Sequence, residues 1–342
     1  MPRSADRYAE AGVHLDVLDN LKERIAALVH ETHGAEVLSR QGAFGALFEI
    51  GSLELEDPVL VSSIDGVGTK VKIACQAGDH RGIGTDIVNH SINDILTCGA
   101  RPLFFMDYFA TGRIVPDTFA QVIESLAKAC RAAGMALLGG ETAEMPDVYS
   151  QGEYDLAGCI VGVVDRSKII DGTAIRPGDA ILGLPSNGLH TNGYSLVRRI
   201  FLTELGWKLD RHVEEFGTTL GEELLRPHRS YLNEIQSLLG KGIVRGLAHI
   251  TGGGFYGNVP RIMPEGCAAE IQSESWTPPP VFQLIQTLGR VSPQEMFRVF
   301  NMGIGFVVVV HPEDVDQAVA EVSELIRIGS VIEGSAVTVT GL

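Results

Sequence analysis

A carboxylate, two glycines, a hydroxyl and an ammonium fall within six residues at Asp65-Gly66-Val67-Gly68-Thr69-Lys70, directly after the apolar run Val59 to Ile64. Such a set suits a nucleotide and its metal. Glycines let backbone N–H groups approach phosphate oxygens, Lys70 supplies a point charge, and Asp65 offers hard oxygen to Mg²⁺. It is not a Walker loop, because GxxxxGK[ST] is absent and the acid comes first. As a bare pattern it reads equally as an Asp-Gly hairpin turn with a surface lysine. Further on, Asp86, Asn89, His90, Asn93 and Asp94 share one side of a helix whose other side carries Val88, Ile92, Ile95 and Leu96. That polar side is either a solvated face or, given its amide-carboxylate pairs and few long charges, the wall of a cleft with Asp94 as the favoured metal ligand. Gly139-Gly140-Glu141-Thr142 follows Ala136-Leu137-Leu138, which predicts Glu141 at the carboxyl end of a strand, where open α/β sheets bind ligands. Asp65, Asp94 and Glu141 are thus three hard-oxygen donors of the kind that hold Mg²⁺ on ATP phosphates, provided that their elements converge.

The second half carries Ser186-Asn187-Gly188-Leu189-His190-Thr191-Asn192-Gly193-Tyr194-Ser195, a polar loop opening a helix that continues to Arg198. A helix start of this kind attracts an anion, and His190 can donate to phosphate or move a proton; equally, Asn192 or Ser195 simply caps the helix. Thr251-Gly252-Gly253-Gly254-Phe255 has more glycines than a plain turn requires, which favours close approach to a phosphate. Asn301, in Phe300-Asn301-Met302-Gly303, enters the last long apolar run near the same cleft or serves only as a strand entry. No GxSxG is present, and Cys75, Cys98, Cys130, Cys159 and Cys267 stand singly without metal spacing, so they read as small buried residues of a reducing compartment. Positioning and electrostatics, rather than a covalent nucleophile, fit these residues.

The elements that must position these groups alternate in type. Apolar runs at Val59 to Ile64, Leu103 to Phe109, Met135 to Leu138 and Cys159 to Val164 predict strands, with helices near Leu15 to His30, Gly84 to Thr97 and Pro116 to Ala133 and a flexible turn at 42–46. Turn residues from Asp165 to Gly178 place a boundary near residue 170, giving domains of 1–170 and 171–342. The second is predicted to hold strands at Ala180 to Leu184, Ala248 to Thr251, Ala268 to Ile271 and Ile304 to Val310. Its helices are expected at Gly193 to Thr203, His228 to Leu239, Tyr256 to Met263 and Pro312 to Ile326. The 342 residues exceed the size of one core, and 45% hydrophobic with 20% charged residues is an ordinary globular composition. With 43 acidic against 27 basic residues, the net charge of −16 opposes binding to nucleic acid or anionic membrane. No apolar run reaches the roughly 20 residues of a spanning helix, and 1–10 lacks a secretion signal, so a cytoplasmic location is expected.

The ordered series of motifs resembles the phosphoribosylformylglycinamidine cyclo-ligases, the AIR synthetase family of purine biosynthesis. It comprises Tyr8 to Val13, Gly45-Ala46-Leu47, Asp65 to Lys70, Asn93-Asp94-Ile95, Pro102 to Phe105, Gly139 to Pro146, His190, Asn192 to Arg198, His249 to Phe255 and Phe300-Asn301. The resemblance implies an α/β (α+β) fold of two domains: a first mixed sheet with helices that joins a partner's strands into a homodimer barrel, and an α/β second domain. It implies that ATP and Mg²⁺ turn formylglycinamidine ribonucleotide into aminoimidazole ribonucleotide, ADP and phosphate. Gly45, Asp65, Gly66, Gly68, Thr69, Lys70, Asn93, Asp94, Gly140, Glu141 and Thr142 would hold the nucleotide, with Asp65, Asp94 and Glu141 on the metal. His190, Asn192, Ser195, Arg198, Gly252, Gly253, Gly254 and Asn301 would face the substrate, and His190, Lys70 and Asp94 would carry catalysis. Asn187 and Thr191 stand where the family usually has serine, and His228 where threonine is expected.

Rival readings within the same superfamily are thiamine-phosphate kinase, selenophosphate synthetase and a hydrogenase-maturation factor. The second requires a reactive cysteine in the loop 40–46 and the third a C-terminal cysteine; neither is present. The kinase would lack the His190 to Arg198 and Thr251 to Phe255 stretches in this form.

Overall fold

The structure, a computed structural model, describes residues 25–39 and 43–342. The expected helix Leu15 to His30 lies outside the described residues up to 24, and residues 25–30 are helical. The Tyr8 to Val13 segment and Gly42 also lie outside them.

Strand β1 (Pro58–Gly66) turns into helix α1 (Lys70–Ala77), followed by α2 (Ile83–Leu96), β2 (Arg101–Thr111), α3 (Pro116–Ala132), β3 (Ala136–Glu144) and β4 (Tyr154–Asp165). The sheet order is β1-β4-β2-β3, antiparallel except for β2 and β3, which α3 connects as a parallel crossover. Pro116 opens α3, where its missing N–H costs nothing. Helix α2 lies tightly on β4 because glycines leave room for it: a Cβ at Gly162 would stand 2.5 Å from the Ile95 side chain. This close packing fixes the height of Asn93 and Asp94 above the end of β1. Among the described residues no helix covers Leu60 and Ile64 on the opposite face of the sheet, which are 56% and 74% exposed.

The second half contains β5 (Ala180–Pro185), α4 (Tyr194–Arg198) with a π-helical continuation Arg199–Glu204, a small ribbon of β6 (His212–Val213) and β7 (Thr218–Thr219), α5 (Leu220–Leu224) and α6 (Leu232–Lys241). Then come β8 (Val244–His249), α7 (Gly254–Asn258), β9 (Cys267–Gln272), α8 (Pro280–Gly289), α9 (Pro293–Val299), β10 (Ile304–Val310), α10 (Val315–Glu321), β11 (Ile326–Glu333) and β12 (Val337–Thr340). Six strands form one sheet in the order β12-β9-β11-β5-β10-β8. All of β10 is buried, as a central strand covered on both faces must be. Phe306 and Val308 join a core that runs through Leu232 and Ile235 to Ile87 and Ile95 of α2, while Val307 and Val309 face a second core around Phe255 and Phe282. Among the described residues no helix is long and apolar enough to cross a membrane.

Several boundaries differ from expectation. β3 runs on to Glu144, so Gly139 to Thr142 lie inside a strand rather than beyond its end. The helix expected from His228 starts at Leu232, because the backbone N–H groups of His228 and Tyr231 are held by Asp86 and Asn93 of α2. The strand expected at Ala248 to Thr251 is β8, ending at His249. The apolar pattern predicts no element at α1, α5, α8, α9, β6, β7, β11 or β12; α1 lacks a clear apolar period, and the helix expected to reach Ile326 ends at Glu321, before a turn into β11.

Candidate active site

The polar side of α2 is not solvated. Asp86, His90 and Asn93 are buried against loops of the second half, and the Asn89 amide donates to the His228 carbonyl at 2.7 Å. Asn93 is saturated: its Oδ1 accepts from the Tyr231 backbone N–H at 3.0 Å and its Nδ2 donates to the Arg229 carbonyl at 2.8 Å. It therefore locks the halves together around the cleft instead of facing it.

Asp65, at the end of β1, and Asp94 converge on His90, whose Nε2 lies 2.8 Å from Asp65 Oδ2 and 3.6 Å from Asp94 Oδ2. Ser63 donates to Asp94 Oδ2 at 3.0 Å, and His249 Nδ1 lies 2.9 Å from Asp94 Oδ1. The His90 hydrogen bond holds the Asp65 carboxyl below its ordinary range. Burial pushes Asp94 upward, but the bond and charge of His249, with His90 and Ser63, prevail and hold it ionised. Burial pushes the His90 imidazole down, and Asp65 and Asp94 outweigh it, so its affinity for a proton is raised.

His190, His228 and His249 complete a buried imidazole cluster that residue spacing did not reveal. The rings of His190 and His228 stack at 4.0 Å, and His228 Nε2 lies 3.1 Å from His249 Nε2. Burial keeps His190 and His228 far below the usual imidazole range, with the neighbouring cationic groups adding to the effect. His190 adopts φ +62, and neither of its ring nitrogens has a hydrogen-bond partner among the described residues. A neutral imidazole with free nitrogens at a strained backbone position is poised to meet a ligand. The only sequence signal for this cluster was His90 four residues before Asp94; His228 and His249 enter from elements far away in the chain.

Lys70 departs from its expected placement. Its ammonium is fully buried, 2.8 Å from Asp86 Oδ1, and also donates to the carbonyls of Arg226 at 2.6 Å and His190 at 3.3 Å. Three donors meet three acceptors, so Lys70 offers no free charge to a phosphate; it is an internal clamp. Thr69 beside it is exposed, and its hydroxyl meets Ser195 Oγ at 3.1 Å across the cleft.

The loop before α4 has Gly193, not Asn192 or Ser195, at the helix cap, and no side chain caps it. Asn192 lies against Gly252, joining this loop to the triple glycine. There Gly253 and Gly254 have φ of +96 and +55, and the Asn258 amide donates to the Gly254 carbonyl at 2.8 Å. The Arg198 Nε is buried without a hydrogen-bond partner among the described residues. Asn301 is a strut: its Oδ1 accepts from Ser186 Oγ at 3.0 Å and Gly303 N–H at 2.8 Å, and its Nδ2 donates to the Gly188 carbonyl at 3.0 Å. It shapes the His190 loop without reaching the cleft.

Glu141 does not join Asp65 and Asp94 within one chain. Asp65 registers with Gly158, Gly158 with Asp107 and Asp107 with Gly140, so three strand spacings, roughly 14 Å, separate the two acids. Glu141 and Gly140 are exposed and Thr142 is half-buried, beside a 330 Å³ cavity walled by Val29, Phe119, Ile123 and Leu137. Gly45 is exposed, and a Cβ added there would meet nothing within 4 Å. Asp65 and Asp94, ionised and side by side, are a donor set that fits Mg²⁺, which takes one or two carboxylates together with substrate oxygens.

Two mixed α/β halves with the site between them define a class. The family description "AIR synthase related protein, N-terminal domain" matches residues 47–164, and "AIR synthase related protein, C-terminal domain" matches 176–341. Within that class the chain belongs to the phosphoribosylformylglycinamidine cyclo-ligases. It is 50% identical to the protein of that name from Alkaliphilus oremlandii over 96% of this chain and 97% of that one, and 50% identical to the one from Myxococcus xanthus over 92% of each. Among solved structures it is similar in fold to thiamine-monophosphate kinase from Stenotrophomonas maltophilia (TM-score 0.66, 18% identity, 94% of this chain and 96% of that one). The hydrogenase maturation protein HypE in complex with ATP has a TM-score of 0.67 at 18% identity, over 93% of this chain and 90% of that one.

Proposed function

We propose that this chain closes an imidazole ring, converting formylglycinamidine ribonucleotide and ATP into aminoimidazole ribonucleotide, ADP and phosphate on the route to purines. The observation that carries this reading is near-complete, half-identical correspondence with enzymes named for that ligation. The kinase and maturation readings rest on likeness of fold at 18% identity. The cytoplasm, where ATP and nucleotide intermediates are abundant, is the proposed location.

ATP would phosphorylate the formyl oxygen, the amidine nitrogen would attack that carbon, and phosphate would leave as the ring closes. Mg²⁺ held by Asp65 and Asp94 would neutralise charge on the phosphates. Thr69, with the backbone of Gly66 and Gly68, borders the phosphate end. His190, neutral and with both ring nitrogens free of hydrogen bonds among the described residues, is suited to hydrogen-bond the substrate. Asn192, Ser195, Arg198 and the triple glycine line the substrate end.

Glu141, Gly140 and Thr142 reach this site in a homodimer. β1 and β3 are the two open edges of the first sheet, and its bare face presents Leu60 and Ile64. A second copy laying its β3 along β1 covers that apolar face and brings its own Glu141 toward Asp65, which supports a three-carboxylate site built from two chains.

Purified protein incubated with ATP, Mg²⁺ and formylglycinamidine ribonucleotide should yield aminoimidazole ribonucleotide. Asp94→Ala should lower turnover by roughly a hundredfold or more with the fold intact. No product from the parent protein would overturn the reading.

A further inference from the structure

Hydrogen-bond accounting fixes how the buried imidazoles carry their protons. Asn93 Oδ1 accepts a backbone N–H, so its Nδ2 is a donor, with one hydrogen for the Arg229 carbonyl and one directed at His228 Nε2, 3.2 Å away. His228 Nε2 is therefore a lone pair, and its Nδ1 is the N–H that points to Thr191 Oγ1 at 3.3 Å. Thr191 passes its own hydrogen to His90 Nδ1 at 3.0 Å, which leaves the His90 proton on Nε2, facing Asp65. His249 Nδ1 faces the Asp94 carboxylate and donates to it. A neutral His249 then turns a lone pair on Nε2 toward the lone pair of His228 Nε2, at 3.1 Å. The His228 lone pair accepts the Asn93 hydrogen, so a cation bound between the two rings takes the place of that hydrogen bond.

We propose that His90, His228 and His249 form a site for a borderline divalent cation of the Zn²⁺ class, tying α2 to the second half of the chain. One ring nitrogen from each histidine lies within 4.8 Å of the others. The ring centroids are 5.3, 5.0 and 5.2 Å apart. Three imidazoles bound at ~2.1 Å around one tetrahedral ion have nitrogens roughly 3.4 Å apart and centroids about 5 Å apart, so the observed triangle already has the size required. Each ring also has its Nδ1 held from outside, two by Thr191 and one by Asp94, which is how metal-bound histidines are oriented. His228 and His249 would bind through their facing Nε2 atoms and His90, whose Nδ1 is taken by Thr191, through Nε2; on binding, His90 gives up its proton and its contact with Asp65, and His228 its bond from Asn93. Imidazole donors select this class of ion, whereas carboxylates suit Mg²⁺, so the two preferences separate this triad from the Asp65 and Asp94 pair. The inference does not depend on the ring-closing reaction.

The test uses Co²⁺ as a spectroscopic probe on the full chain after treatment with chelator and dialysis. One Co²⁺ per chain should bind with the visible absorption of a tetrahedral, nitrogen-rich site, and excess Mg²⁺ should not displace it. His228→Asn and His249→Gln should each weaken binding at least tenfold and change the spectrum, while Asp65→Asn retains both. Circular dichroism and thermal melting establish that each variant is folded, and the two histidine variants serve as independent probes. Absence of such a spectrum in the parent overturns the proposal. So does a spectrum indifferent to both histidine variants, or one lost in Asp65→Asn and displaced by Mg²⁺, since the ion then sits on Asp65, His90 and Asp94.

Discussion

Lys70 Nζ and Asp86 Oδ1 lie 2.8 Å apart with both side chains wholly excluded from solvent. Burial lowers the lysine's proton affinity and raises that of the acid, and each partner opposes the shift of the other. The pair fastens α1 and α2 to the loops carrying His190 and Arg226, so its first contribution is to stability. Lys70→Ala should cost about 3–5 kcal/mol in urea unfolding, because it leaves a buried carboxylate uncompensated. Lys70→Met combined with Asp86→Leu should recover much of that loss. Unaltered stability with a large loss of ATP affinity would return Lys70 to the phosphates.

His190→Ala should raise the KM for formylglycinamidine ribonucleotide by about tenfold or more while ATP affinity changes less than about twofold. The imidazole makes no hydrogen bond within the described chain, so its removal breaks no internal hydrogen bond and loses only its stacking on His228. Steady-state kinetics in each substrate separate the effects, and equal losses in both would count against a role at the substrate.

Asp107 projects into the apolar cavity beside Phe119 and Leu137, and burial pushes its carboxyl from 3.8 up to about 7. The folded state then binds the proton more tightly than the unfolded one. Stability is therefore greatest below pH ~4 for this group and declines as pH rises through about 7. Asp107→Asn should match the parent near pH 4 and exceed it by on the order of 3 kcal/mol at pH 8, as read from denaturant midpoints. A constant difference at all pH values would show that the carboxyl titrates normally.

Ile64→Glu places a charge in the middle of the bare apolar face of the first sheet. Sedimentation should show a dimer for the parent and a monomer for the variant, with an unchanged circular dichroism spectrum and a loss of turnover to match. A monomeric, fully active parent would dismiss the two-chain site.

What could be read from the chain itself was local. Val59 to Ile64 ending on Asp65 gave β1 within two residues at each end, and the 3 and 4 residue spacing from Asp86 to Asp94 gave the polar face of α2, because period and strand ends are written in neighbouring residues. The ordered motifs likewise sufficed to identify the family. Tertiary structure decided the rest. It took Lys70 inward to a partner 16 residues away, made Asn301 a strut, and set Glu141 three strands from Asp65 by the β1-β4-β2-β3 order. It also gathered His90, His228 and His249 from a helix, a loop and a strand end separated by up to 159 positions, a contact that no sequence period encodes. Distances between remote segments depend on strand order and packing of the whole chain, so side-chain chemistry can be read from the sequence long before its company can.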